Sequence, residues 1–479
     1  MLGAACNGAA PGDSKATQRE STTAPASERL VPLRTANPLP PDSVVRAVPD
    51  SAVFGLVSSS GPARNVLLIT LCSWRADHVG AYGYARDTTP HLDAFARDAM
   101  IFDQAYANGT FTDVSHASLF TGLLPGHDGM MDVGDRVRDD VHTLPEVLGA
   151  YGFRSLVLLD HAGGMTPPVI QTMARGFGSV TSAPSGALAP ALARWIADSP
   201  APWLAWVHVR RAHIPYGTGE PFAHAIDPAV KIWLDKRAKP PLSTGSADPD
   251  AALLTAISAD PRVRQSLDDV YDSGLARADA QLGQILNAAS AAGWMENTLI
   301  VIVADHGEAL GESGQFGHQG KLISSVLHVP LVIRLPGGKR GRNASPVSLV
   351  DVMPTIEATM GAKAQVTADG VSLLPALRGQ PIPTRAILAQ TVAPAGAEGK
   401  MTLEEVLIAP PYWLRVNTFD SRLWRSSPSG WQDVSTSDPD TMRALEASRA
   451  LLSAGSTFHE SRRPVPPAQE EELRKQGYW

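Results

Sequence analysis

Five short, almost wholly apolar runs punctuate the chain, at Asn65–Leu71, 155–159, Trp203–Val209, Thr298–Ala304 and 330–335. A strand with one face in water alternates apolar and polar residues. A continuous apolar run instead implies burial on both faces, as in a parallel sheet covered by helices. Helical patterns lie between the runs, at 90–99, Leu144–Ala150, 187–197, 267–292 and 351–360. Strands alternating with helices predict a doubly wound, mostly parallel α/β sheet with helices on both faces. Reactive side chains in such a sheet sit beyond the carboxyl ends of the strands. Two of the predicted strand exits carry them: Cys72-Ser73 after the first, and Asp305-His306 after the fourth.

The flanks read differently, and three regions are expected. Residues 1–60 form a polar tether and lead-in: the stretch 7–27 is small and polar, with no apolar period, and buries too little to offset its ordering entropy. Residues 61–384 hold the α/β sheet. Residues 385–479, where apolar runs thin out, form a smaller α+β subdomain closing on a helix at 467–476. Small residues before Cys6 and the polar stretch after it resemble the end of a bacterial lipoprotein signal, without that signal's charged and apolar parts. The alternative is a chance likeness. The first reading places the chain outside the cytoplasm, periplasmic or anchored by lipid at Cys6, which would be its only membrane contact. No run of about 18 apolar residues exists to span a bilayer. The 48 acidic and 41 basic residues leave a net charge of −7, so nothing electrostatic favours nucleic acid. Two cysteines, Cys6 and Cys72, exclude a disulfide scaffold or a Cys-rich zinc module.

Four segments are candidates for chemistry. In Ala304-Asp305-His306-Gly307-Glu308 a carboxylate and an imidazole leave a strand together. Both can turn toward one cation: Zn or Mn, or Ca with more oxygens. The plain alternative is a polar turn. In Thr110–Gly122 hydroxyls crowd the start of a short helix, whose N-terminus favours an anion such as phosphate or sulfate. A Thr there is either a cation-activated nucleophile or an ordinary cap. His213 follows the Trp203–Val209 strand, and His318 lies in the Gly-rich stretch 314–321.

Taken together, these segments resemble the sulfatase-like branch of the alkaline phosphatase superfamily. NVLLITLCSWRADHVGAYGY resembles the family opening, TDVSHASLFTGLLPGHDG the nucleophile segment, and WLAWVHVRRAHIPY the strand before a substrate-facing His. NTLIVIVADHGEALGESGQFGHQGK resembles the metal segment and VSLVDVMPTIEATMGA the closing helix. The resemblance runs from about Arg64 to Gly379, with EEELRKQGYW at the end. It implies a catalytic domain at 61–384, with Thr112 as nucleophile where typical sulfatases carry a Cys that becomes formylglycine. Thr at this place is familiar from phosphodiesterases and from phosphoglycerol and phosphoethanolamine transferases. It further implies one divalent metal ion (Zn, Mn, Ca or Mg) on Asp305, His306, Thr112 and position 72. His213 and His318 become the substrate or leaving-group histidines, and the helix N-terminus at 115–119 stabilises the ester oxygens. The chain departs from the family at Cys72, which stands for a metal-binding Asp, and at Ser73, Val114, His116, Ser313 and Ser324-Ser325. Cys72 is then either an inert filler or a thiolate ligand favouring Zn.

Three functions follow. The first is a metal-dependent hydrolase of sulfate or phosphate esters. The second is a transferase passing a phosphoryl-linked head group to an envelope glycan or lipid. The third is a non-catalytic binding protein with a degraded metal site.

Overall fold

The structure, a computed structural model, describes residues 63–160, 173–214, 216, 219, 221–237, 249–318, 320, 322–362, 368–395, 400–427 and 430–456. The tether, Cys6 and the expected helix at 467–476 lie outside the described residues.

An eight-stranded sheet forms the centre. Its spatial order is Gly341–Asn343, Met100–Phe102, Leu331–Arg334, Thr298–Ala304, Asn65–Leu71, Trp203–Val209, Arg154–Asp160 and Ser179–Ala183. The three middle strands, Thr298–Ala304, Asn65–Leu71 and Trp203–Val209, are parallel and buried at every residue, as their uninterrupted apolar runs require. Leu331–Arg334 alone among the described strands of this sheet runs against the others. It was expected as one more apolar run. Its reversal follows from its connection, whose described elements are all short (Ala309–Leu310, Glu312–Gly314, Phe316–Gly317 and Ser324–Leu327), with no long helix to carry the chain back across the sheet.

Helices cover both faces. Pro261–Ala291 is the longest, beginning earlier than its apolar pattern because Asp260 caps it, accepting from the Arg262 amide, and Pro261 fits the first turn. Pro90–Ala96, Leu144–Ala150, Leu188–Ala197 and Val352–Met360 lie within a few residues of expectation. Helices at Pro228–Arg237 and Pro249–Ala259 and the short strands Met100–Phe102, Ser179–Ala183 and Gly341–Asn343 were not expected. None of the described helices is long and apolar enough to cross a membrane.

The C-terminal part is a five-stranded antiparallel meander, from Ile387–Ala395 to Gly430–Asp433, followed by the helix Pro439–Leu452. Ile387, Ala389, Val406, Ile408 and Trp413 of the meander belong to the same buried core as the main sheet. Its first strand also grips the loop before Thr112. The Asn108 side chain donates to the Leu388 carbonyl at 2.8 Å, and the Gln390 amide donates to the Asn108 carbonyl at 2.9 Å.

Candidate active site

Three segments converge at the carboxyl edge of the central strands. After Leu71 the backbone turns sharply: Ser73 has φ 63°, a left-handed conformation unusual for a side-chain-bearing residue. The turn is held from both sides. The Tyr271 hydroxyl donates to the Ser73 carbonyl at 2.7 Å, and the Ser73 amide donates to Asp305 Oδ1 at 3.1 Å. After Ala304 a second turn brings Asp305 and His306 alongside. Gly307 makes it feasible, because a Cβ there would lie 2.1 Å from the Ser325 carbonyl oxygen. Arg75 and His78, in the R-x-D-H stretch, pair with Asp77, Glu312 and Asp272 and brace the turn from outside.

The third segment is the helix Thr112–Thr121, wholly buried and ended by Gly122 in the left-handed region. Thr112 is its first residue. The earlier expectation of an N-terminus at 115–119 is therefore corrected: the Ser115 amide already donates to the Phe111 carbonyl, and the Val114 amide to Asp113. Anion-facing amides at this helix end belong to its first turn, around Thr112. Val114, where the family has Pro, and His116, where it has Arg, are inside the helix and buried.

Thr112 Oγ1 lies 3.2 Å from His306 Nε2. The other ring nitrogen, Nδ1, is 2.9 Å from the Gly307 carbonyl, which only accepts, so Nδ1 carries the proton and Nε2 presents a lone pair. Burial, against the pull of Asp305, lowers the His306 pKa to about 4, so the ring is neutral at pH 7. Burial alone would raise the Asp305 carboxyl. The neighbouring rings of His306, His116 and His208 and the Ser73 amide outweigh it and hold the group at about 2. Asp305 Oδ2 is buried without a hydrogen-bond partner among the described residues and sits 3.6 Å from His306 Nε2. A bare carboxylate oxygen facing an imidazole lone pair fits a cation between them. Cys72 completes a group with Asp305 and His306 whose ligand atoms lie within 4.8 Å of one another. Its thiol is the weakest member: burial, reinforced by the Asp305 charge, raises its pKa well above the usual range. A thiol held protonated favours the filler reading of Cys72 until a cation arrives.

His213 and His318 stand over the same site. The His318 ring stacks on His306 with centroids 4.1 Å apart, and His213 meets His318 edge-on at 5.2 Å. His213 Nδ1 donates to the Ile214 carbonyl at 2.6 Å, leaving Nε2 to accept from Arg210 at 3.3 Å. Burial, with the Arg210 charge, holds the His213 pKa well below its ordinary value. His318 is arranged the other way. Its Nδ1 faces the Glu308 carboxylate at 3.4 Å, and its Nε2 has no hydrogen-bond partner among the described residues.

All six expected positions, Cys72, Thr112, His213, Asp305, His306 and His318, thus meet in one buried place. Sequence reasoning missed Thr70, His208 and Arg210 beside them. Thr70 and His208 are polar residues inside strands otherwise apolar and buried on both faces, and that exception was the available signal.

Residues 64–362 match the protein family described as Sulfatase. Arylsulfatase K of Xenopus laevis is 23% identical over 382 residues, covering 71% of this chain and 69% of that protein. The ulvan-active sulfatase of Formosa agariphila is 24% identical over 365 residues, covering 69% and 68%. Among solved structures, the phosphonate monoester hydrolase of Agrobacterium radiobacter superposes with a TM-score of 0.68 at 20% identity, covering 84% of this chain and 100% of that one.

Proposed function

The chain belongs to the sulfatase family, and from that premise we propose that it is a metal-dependent hydrolase of sulfate or phosphate esters with Thr112 as its nucleophile. The observation that carries the proposal is Thr112 Oγ1, 3.2 Å from His306 Nε2 at the start of a buried helix, beside the unpartnered Asp305 oxygen. Asp305 and His306 would hold a divalent cation, with Cys72 in reach. When bound, such an ion lowers the pKa of a nearby hydroxyl and offsets charge on the ester oxygens.

The chain's own groups account for the rest. Thr112 gives up its hydroxyl proton to water, its Oγ attacks sulfur or phosphorus, the Oγ–S or Oγ–P bond forms, and the bond from that atom to the departing ester oxygen breaks. The departing alkoxide takes a proton from His318 Nε2, whose ring is oriented by the Glu308 carboxylate at Nδ1. His213 does not act as the acid in this reading: its Nε2 accepts from Arg210, and together the pair faces the anionic ester. Water then attacks the sulfated or phosphorylated Thr112. It releases sulfate or phosphate, returns a proton to Thr112 Oγ and leaves one with His318.

The ulvan-active relative supports a glycan ester as substrate, and the phosphonate hydrolase neighbour supports including phosphonate monoesters among those tested. Extracytoplasmic placement with lipid on Cys6 is part of the same proposal, supported by the small residues before Cys6 and the polar stretch behind it. The deciding experiment is a screen of sulfate monoester, phosphate monoester, phosphodiester and phosphonate substrates against Zn, Mn, Ca and Mg, with an acceptor alcohol present. Turnover by the wild type that Thr112→Ala lacks supports the proposal. Product transfer to the alcohol would replace hydrolase by transferase. Substrate binding without turnover under every metal would leave the binding-protein reading.

A further inference from the structure

Thr70 lies opposite His208 in the pairing of the two central strands. Its hydroxyl touches three groups: the Trp206 indole nitrogen at 2.8 Å, His208 Nδ1 at 2.8 Å and His116 Nε2 at 3.0 Å. A hydroxyl has one proton to give and two lone pairs to receive with. The indole N–H donates to it. His116 Nδ1 lies 2.6 Å from the Thr112 carbonyl and must donate there. In the neutral ring His116 Nε2 is therefore an acceptor and takes the Thr70 proton. The contact left over makes His208 Nδ1 a donor to Thr70, so His208 Nε2 is a bare lone pair. That atom is buried and without a hydrogen-bond partner among the described residues, as is Asp305 Oδ2.

We propose that His116, His208 and Asp305 form a second cation site, sharing Asp305 with the Cys72–Asp305–His306 group, and that it takes zinc. Ligand atoms of the three residues lie within 4.8 Å of one another, and all three residues are buried. They come from three elements: a helix, a strand and the turn after another strand. Both imidazoles have Nδ1 tied to a protein oxygen, which leaves Nε2 as the nitrogen available to a cation, the arrangement by which outer hydrogen bonds orient histidine ligands. Thr70 is the one group a cation displaces, from His116 Nε2. Two imidazoles and a carboxylate, with no thiolate, suit zinc better than calcium or magnesium. The inference goes beyond the reading of Thr112 as nucleophile, because a cation held here requires no turnover.

The test is zinc binding by the metal-stripped full chain, read as affinity and as metal retained after gel filtration. Cobalt serves as a spectroscopic substitute. Wild type, Cys72→Ala and His208→Asn are compared. Asparagine keeps a donor for Thr70 where Nδ1 was, and removes the ligand atom. The proposal expects tight zinc binding by wild type and Cys72→Ala, at least about tenfold weaker binding by His208→Asn, and no sulfur-to-cobalt charge-transfer band in the cobalt form. Failure of wild type to bind zinc overturns it. So does wild-type affinity in His208→Asn, or loss of all zinc in Cys72→Ala. Should His208→Asn fail to fold, the zinc-dependent rise in Tm of the double variant Cys72→Ala/His306→Ala, which lacks the other ligands of the first group, decides, and no rise overturns the proposal. Zinc held through His208 in a protein that hydrolyses none of the esters would sink the hydrolase reading and leave this one standing.

Discussion

The Thr112 hydroxyl lies 3.2 Å from His306 Nε2 at the start of its helix. Thr112→Ala is expected to lower turnover by about a thousandfold or more, with thermal stability within about 1 kcal/mol of wild type. Steady-state kinetics alongside a melting curve checks both. Cys72→Asp is expected to bind Mn, Ca or Mg more tightly and to raise kcat, because it exchanges a thiol held protonated by burial for an anionic oxygen beside Asp305. Metal titrations that match wild type would show that position 72 lies outside the site. Asp113 gives the pH dependence. Burial, with the Asp132 charge nearby, raises its carboxyl to about 7, whereas in the unfolded chain it titrates near 4. Between those values the folded state holds the extra proton. Stability therefore falls as pH rises from about 4 to about 7 and then levels, by about 2–4 kcal/mol. Asp113→Asn should flatten that slope in urea unfolding curves taken across the interval. At this scale Asp305, His306, Thr112, His213 and His318 were legible because each stands at a strand exit or helix start, within a motif. His208 and Thr70 were not. Their weight in the proposed second site lies in which nitrogen carries a proton, a property of four side chains, Thr70, Trp206, His208 and His116, meeting across two strands and a helix.

Elements explain why these side chains meet at all. The uninterrupted apolar runs foretold the buried strands, since a strand covered on both faces has no polar side to show. The missed strands of the central sheet are the short ones, three or five residues at or near its margins, where little periodicity can accumulate. The direction of Leu331–Arg334 was equally out of reach, because an apolar run carries no sign. The turn after Thr298–Ala304 is the most demanding piece. Gly307→Ala puts a methyl against the Ser325 carbonyl and must push the two segments apart. It is expected to cost about 1–3 kcal/mol and to displace His306, lowering metal affinity along with stability. A variant with wild-type Tm and metal content would show that the two segments yield without cost.

Over the whole molecule, the edge that carries Thr112 is finished by the part of the chain in which apolar runs thin out. A thinning of apolar runs suggested a smaller C-terminal unit, but not that its first strand would hold the loop leading to Thr112. Such long-range pairing leaves no local trace. Asn108 ties the two together. Its side chain donates to the Leu388 carbonyl and accepts from the Val350 amide at 3.2 Å. Asn108→Ala leaves both backbone groups without that partner. It is expected to cost about 1–3 kcal/mol in denaturant titration and to lower kcat more than it raises KM, because the loop positions the nucleophile. Unchanged kcat would mean the grip is structural only. The tie also sets an order in time. Asn108 and Leu388 are 280 residues apart, so while the chain is being synthesised Thr112 emerges long before the strand that steadies its loop. Contacts that distant are the slowest to close. The edge that carries Thr112 is braced from this side only when the meander is out.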